Sequence, residues 1–427
     1  MDVAVSELTT SEAVPLTGSL LDAVPLDVSQ IPPSSLDLAN RTRTNPFPWR
    51  GQFSPELAEL LLSCYGHKGA TVVDPYAGVG TTVVEAARLG LPALGVEINP
   101  AAVAMAETCM FIPQSPSHRR RVLDAAWTAL DALTPEDTPL FRRRTEEEPV
   151  VESLIGLISQ EKSDSPARNI FTNVLIRCLE SPLPQNASAL FRAFSQHQGI
   201  VLDLPHSQSD CRIVNADARA LPIGPHSVDL VITSPPYINV FNYHQNNRRA
   251  MELLGWDLLC VARSEIGANR KHRGNRLLTV VQYCLDMGLA LAELWRVAKP
   301  SGRVVLVIGR ESNVRKTAFQ NGAILGALAL LAGFSLPFRQ ERKFVSRFGT
   351  LVYEDILHLV PKRTGGGCNA AEIRAIAVRH LDAARSNVDD EAILADLDDA
   401  VARADSVKPS PIYEAASARS GNVHVAP

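Results

Sequence analysis

The stretch Ser227 to Tyr237, Ser-Val-Asp-Leu-Val-Ile-Thr-Ser-Pro-Pro-Tyr, constrains this 427-residue chain more than any other. Val228, Leu230, Val231 and Ile232 form a nearly continuous apolar run, the pattern of a parallel strand buried on both faces. Pro235 and Pro236 carry no N–H, so the strand ladder must end there, and Ser234 before them is pushed toward an extended backbone. In open α/β sheets, ligands bind beyond the carboxyl ends of such strands. The segment therefore predicts a rigid edge that faces a ligand. A nitrogen-bearing aromatic ring could stack on Tyr237 while its exocyclic NH2 donates to the Ser234 hydroxyl and a proline carbonyl. A strand followed by a plain proline turn is the competing reading, and these residues alone leave both open.

A second cluster stands upstream. Ala70 to Val73 reads as a short strand that ends in Asp74-Pro75-Tyr76-Ala77-Gly78-Val79-Gly80-Thr81-Thr82. A helix follows over 83–89, stopped by Gly90, and then a strand over 93–96 that ends in Glu97-Ile98-Asn99-Pro100. The glycines let backbone approach a ligand, the helix N-terminus offers free N–H groups, and a strand-end carboxylate can accept two ribose hydroxyls. A Walker loop would end in Gly-Lys-Ser/Thr, which is absent, and a dinucleotide fingerprint would need a third glycine where Val83 stands. An S-adenosylmethionine loop needs an acid at the strand end and close backbone approach but no phosphate site, and Asp74 with Gly78 and Gly80 fits it best.

The rest of the chain arranges itself around these two motifs. Residues 1–40 read as a disordered tail. Ser54-Pro55-Glu56 starts a helix that runs to about Tyr65. Residues 41–112 form the first part of a core, and 113–211 a mostly helical insertion. The insertion carries the run Arg142-Arg143-Arg144, Glu146-Glu147-Glu148, most simply a solvated face. Residues 212–362 complete the core, with a strand that ends at Asp217, an amphipathic helix over 283–296, a buried strand over 303–309, a helix over 318–332, and two more strands at 344–346 and 351–360. Asp217 is the candidate acceptor for an adenine amino group, against an ordinary turn acid. Residues 363–427 are Ala- and Asp-rich and read as a tail without assigned function.

Net charge is −4, so a nucleic-acid surface must be local. Between Ile238 and Arg276, seven basic residues, among them Arg248, Arg249, Arg270, Lys271 and Arg273, face three acids, with Phe241, Tyr243 and Trp256 interleaved. That composition predicts phosphate contacts, with a solvated helix face as the alternative. The seven cysteines include no CxxC pair, so neither a zinc knuckle nor a disulfide framework is expected, and free thiols fit the cytoplasm. The longest apolar stretch, Ala323 to Phe334, is too short to span a membrane.

Taken together, the motifs resemble the S-adenosylmethionine-dependent DNA methyltransferases that modify exocyclic amino groups. Residues 74–82 are similar to their cofactor loop, Gly95-Val96-Glu97-Ile98-Asn99 to their ribose-binding strand end, and Thr233-Ser234-Pro235-Pro236-Tyr237 to their catalytic motif. Ser before Pro-Pro is typical of the cytosine-N4 members, and Asp or Asn of the adenine-N6 members. Asn45 to Leu62, with Phe53, resembles the segment that helps hold the methionine end. The resemblance implies a Rossmann-like α/β methyltransferase fold: a seven-stranded, mostly parallel sheet with one antiparallel strand and a helical insertion. It implies S-adenosyl-L-methionine held by Phe53, Asp74, Tyr76, Ala77, Gly78, Gly80, Thr81, Thr82, Glu97, Asn99 and Asp217, no metal, and catalysis by Ser234, Pro235, Pro236 and Tyr237. It implies duplex DNA with a flipped target base as partner, and allows a cognate restriction or defence protein. Many cytosine-N4 enzymes with this motif place it before the cofactor loop. Here the order is reversed, as in some RNA guanine-N2 methyltransferases. Adenine N6, RNA guanine N2 and a binding module without turnover therefore stand as alternatives. A cytosine-C5 mechanism needs a Cys after a Pro, and none of the seven follows one.

Overall fold

The computed structural model describes residues 19–38, 42–49, 51–133, 150–182, 185–238, 243–267, 272, 274–345, 349–363 and 367–415. Nine strands alternate with helices: β1 (Val72–Asp74), β2 (Ala93–Glu97), β3 (Cys211–Asn215), β4 (Val228–Thr233), β5 (Ala298–Gly309), β6 (Glu311–Val314), β7 (Thr317–Gln320), β8 (Phe334–Val345) and β9 (Leu351–Pro361). Seven form one sheet in the order β3-β2-β1-β4-β5-β9-β8, and β6 and β7 form a separate hairpin. β1 to β5 pair in parallel, while β9 runs antiparallel to both its neighbours. The expected seven-stranded, mostly parallel Rossmann-like sheet with a single reversed strand is therefore present.

Winding reverses between β1 and β4, so the crevice for a ligand opens at their carboxyl ends. The register pairs Val73 with Val231, which brings Asp74 level with the end of β4, just before Ser234.

Successive strand residues feed opposite cores, as a period of two requires. Val72, Leu230, Ile232, Val305, Val307 and Ile356 pack under Pro55–Tyr65, Thr81–Arg88 and the insertion helices Pro116–Asp131, Val150–Gln160, Pro166–Glu180 and Ala187–Asp203. Val73, Val231, Val304, Leu306, Ile308 and Leu357 pack under Leu278–Val297, Asn321–Leu331 and Ala370–Ala384. The insertion is thus the cover of one sheet face. Leu278–Val297 is long and apolar enough by composition to cross a membrane, but 78% of its most apolar window is buried inside the protein.

Both supposed tails need correction. Leu20 and Leu21 are buried against Asn321–Leu331, and Leu26 bridges to Arg339 on the edge strand β8, so residues 19–38 cover that edge. At the other end, Ile373, Ala377 and Leu381 of the helix Ala370–Ala384 and Leu397 of the helix Glu391–Ala402 are fully buried. Without them the apolar side of Leu278–Val297 would face water.

Candidate functional site

Gly80 has φ = 87°, left-handed backbone that favours glycine, and a Cβ there would lie 3.1 Å from the Ala106 Cβ. It caps Thr81–Arg88 and turns the chain out of β1. Asp74, 4% exposed, ties this turn to the catalytic segment. Its carboxylate accepts from the Thr82 hydroxyl at 2.6 Å, the Thr233 hydroxyl at 2.6 Å and the Tyr76 N–H at 3.1 Å. Burial pushes the Asp74 carboxyl up, and these three donors oppose that shift. Asp74 thus positions both the loop and Ser234.

Glu97 at the end of β2 accepts from the Gly78 N–H at 3.0 Å and the Asn99 N–H at 2.8 Å. Each oxygen serves one donor and keeps a lone pair for another. Burial lifts this carboxyl to about 7, against its backbone donors. Asn99 caps Pro100–Ala106 through Ala101 N–H at 2.9 Å and donates to the Tyr243 carbonyl at 3.2 Å.

One cavity gathers most of the predicted residues: Phe53, Asp74, Tyr76, Ala77, Gly78, Thr81, Glu97, Asn99 and Asp217, with Ser234 and Pro236 in the same wall. Gly80, Thr82, Pro235 and Tyr237 do not line it. The Pro236 carbonyl accepts from Tyr283 Oη at 3.0 Å, which anchors the motif from below.

Two expectations are corrected. Asp217 has no acceptor capacity left. Its two oxygens take Arg219 N–H and Nε, both at 2.9 Å, Arg219 Nη2 at 2.7 Å and the Tyr413 N–H at 2.8 Å. Its carboxylate is a structural hub, and only its place in the wall survives. Tyr237 does not present its ring to the cavity. The ring lies against Gly309, where a Cβ would sit 2.9 Å from Tyr237 Cε2, and its hydroxyl meets Ser234 Oγ at 3.3 Å. Arg248 and Arg249 are exposed on the helix Arg248–Leu253, where Arg248 pairs with Glu252 at 2.6 Å. Arg270, Lys271 and Arg273 lie outside the described residues, as do Arg142 to Arg144.

Several lining groups escape sequence reasoning. Trp49 and Tyr243 both reach the cavity with their rings nearly parallel, centroids 6.4 Å apart at 15°. Their aromatic character is visible in the sequence, but nothing local joins positions 49 and 243. Glu265 lines the cavity and pairs with buried His244 Nδ1 at 2.6 Å. The cavity holds about 100 Å3, below the range of about 300–1,000 Å3 for small-molecule sites.

Residues 32–108 match the DNA methylase family of N6 and N4 methyltransferases. The chain is 35% identical over 60 residues to the type II methyltransferase M.MjaII of Methanocaldococcus jannaschii, covering 14% of this chain and 11% of that protein. It is 31% identical over 97 residues to the type II methyltransferase M.BsoBI of Geobacillus stearothermophilus, covering 22% and 18%. The chain thus spans less than a fifth of the length of either relative. Among solved structures, a SAM-dependent methyltransferase of Methanosarcina mazei aligns over 71% of this chain and 98% of its own, at 11% identity and a TM-score of 0.32. A likeness that low adds nothing to what the sheet order already shows.

Proposed function

We propose that this chain is an S-adenosylmethionine-dependent DNA methyltransferase that methylates an exocyclic amine, cytosine N4, in duplex DNA. The observation that carries the reading is the sharing of one cavity by Glu97, the glycine loop and Ser234, with Asp74 hydrogen-bonded to both motifs. The family match over residues 32–108, which include the cofactor loop, supports the same class.

The residues present fit the cofactor. The two remaining lone pairs of Glu97 suit the ribose hydroxyls, Gly78 allows close backbone approach, and Trp49, Phe53 and Tyr76 offer apolar walls. S-adenosylmethionine, when bound, supplies an electrophilic methyl group. What the chain itself does is hold the amine. The Ser234 hydroxyl, oriented by Tyr237 Oη, accepts one amine hydrogen, and a proline carbonyl accepts the other. This localises the nitrogen lone pair, so most of the rate gain comes from positioning. The flipped base is enclosed by the walls around Ser234, which exclude water. Ser rather than Asp before Pro-Pro favours cytosine through family resemblance. The seven unpaired cysteines are consistent with a cytoplasmic enzyme, and the type II relatives suggest a restriction-modification setting.

The test is transfer of labelled methyl to duplex DNA, followed by nucleoside mass spectrometry. N4-methylcytosine is expected. N6-methyladenine would keep the class and overturn the base assignment. Methyl on tRNA guanine alone would move the chain to RNA. Cofactor binding without transfer to any nucleic acid would leave only a binding module.

Glu97 also sets a pH dependence. Burial holds its carboxyl near 7, and hydroxyl donors favour the ionised form, so cofactor binding should release a proton below that pH. Affinity measured by calorimetry should therefore rise from pH 6 to 8, approaching about tenfold per pH unit at the acid end. Glu97→Gln should weaken binding and flatten the profile. An unchanged profile would remove Glu97 from the site.

A further inference from the structure

We infer that a basic cavity behind the C-terminal segment holds backbone phosphates of the nucleic-acid substrate; this rests on the methyltransferase reading above. Its walls include Arg263, His272, Arg403, Ser406 and Lys408, with no carboxylate among its described residues, and it encloses about 380 Å3. Arg263, Arg403 and Lys408 are all exposed, in a chain whose net charge is −4. Leu278, Val407, Pro409 and Pro411 supply the apolar remainder. Cations and hydroxyls over an apolar floor suit a sugar–phosphate backbone, which offers charge and sugar faces together.

The position of the cavity matters as much as its charge. Arg263 lines it, while the next three residues, Ser264, Glu265 and Ile266, line the cavity of Glu97 and Ser234. The two cavities therefore share a wall one chain thick. Arg219 fixes that wall by donating to the Ser264 carbonyl at 2.9 Å, and fixes the opposite segment through the Ser410 and Pro411 carbonyls, each at 2.9 Å. Gln282 holds the Lys408 carbonyl at 3.3 Å, and Arg374 the Val407 carbonyl at 2.9 Å. Arg403 also pairs with Asp399 at 2.9 Å, and the cations to vary are Arg263 and Lys408 in the cavity wall. A strand gripped there would present its neighbouring nucleotide to Ser234.

The test uses the full chain and a fluorescent duplex oligonucleotide, with affinity followed by anisotropy from 50 to 200 mM salt. In Arg263→Ala/Lys408→Ala the slope of log affinity against log salt should flatten by about 1.8, roughly 0.9 for each phosphate no longer neutralised. The fall in affinity across that salt range should then shrink about tenfold relative to wild type. Arg263→Lys/Lys408→Arg should restore the slope, and cofactor affinity should stay within twofold throughout. If the double variant loses cofactor affinity or folding, Lys408→Ala alone should still flatten the slope by about 0.9. Wild-type binding with unchanged slopes in the variants would overturn this inference and leave the methyltransferase reading intact. Wild type that binds no duplex would overturn the DNA reading and the inference with it. Tight calorimetric binding of inorganic phosphate without DNA would reassign the cavity to a small anion.

Discussion

Arg219→Met should destabilise the protein by about 3–5 kcal/mol, the range for breaking a buried ion pair from one side. The Arg219 side chain is fully buried and pairs with Asp217 at 2.7 Å and Asp286 at 2.8 Å. Its remaining donors go to the Ser264, Ser410 and Pro411 carbonyls. Methionine fills much of the same volume but leaves two carboxylates without their cation. Asp286, also fully buried, would lose its cation while still accepting from the Ser410 N–H at 2.7 Å and hydroxyl at 2.7 Å. At a few degrees per kcal/mol in a chain of this size, the midpoint of thermal unfolding should fall by about 5–10 °C. The companion variant Arg219→Met/Asp286→Asn should recover part of that loss, because the two sites share one network. A loss under about 1 kcal/mol, with no coupling to Asp286, would show that the network contributes little. Cofactor affinity should fall in parallel, since Asp217 and Ser264 stand in the cavity wall.

That network also marks where the sequence stops being legible. Asp217 and Arg219 are two residues apart, but the partners that complete the cluster are 67 positions away at Asp286 and 191 away at Ser410. An acid at a strand end looks the same whether it awaits a ligand or an arginine, so the sequence alone gives Asp217 the wrong role. Glu97 is legible because its donors, Gly78 and Asn99, lie within the same strand–loop–helix–strand unit. The C-terminal helices are hidden by composition. Ile373, Ala377 and Leu381 keep a helical period, but alanine-rich flanks make the apolar stripe look too thin to cover a core. β8 is legible at only two of its positions, Phe344 and Val345, because Pro337, Arg339, Arg342 and Lys343 break any simple alternation. Arg339 is accommodated by Glu341 two residues on and by Asp355, and Arg342 by Glu354, the last two on the neighbouring strand β9. The hairpin β6–β7 turns at Arg315 and Lys316, with φ of 50° and 64°, a turn more usual for Asn-Gly and so without its sequence signal.

Ser234→Ala should reduce turnover about 100- to 1,000-fold, the range for losing one oriented hydrogen-bond partner at a reacting group. Cofactor affinity should change less than twofold, because the contacts that suit the cofactor lie at Glu97 and the glycine loop. The geometry also moves the expected part of Tyr237. With its ring against Gly309 and its hydroxyl 3.3 Å from Ser234 Oγ, Tyr237 acts by aiming the serine. Tyr237→Phe keeps the ring and removes only that hydroxyl, so turnover should fall about tenfold, within the worth of a single hydrogen bond. If stacking on the base were its main work, Tyr237→Phe would be nearly silent and Tyr237→Ala severe. The single variants separate the two cases, and the double variant Ser234→Ala/Tyr237→Phe tests whether the hydroxyl acts through Ser234. An aiming hydroxyl has nothing left to aim once Ser234 is gone, so the pair should be no slower than Ser234→Ala alone. Full additivity would show that the Tyr237 hydroxyl acts independently of Ser234, a silent Tyr237→Phe with a severe Tyr237→Ala would return Tyr237 to the stacking role, and retention of a third or more of wild-type turnover by Ser234→Ala would remove the serine from the reaction.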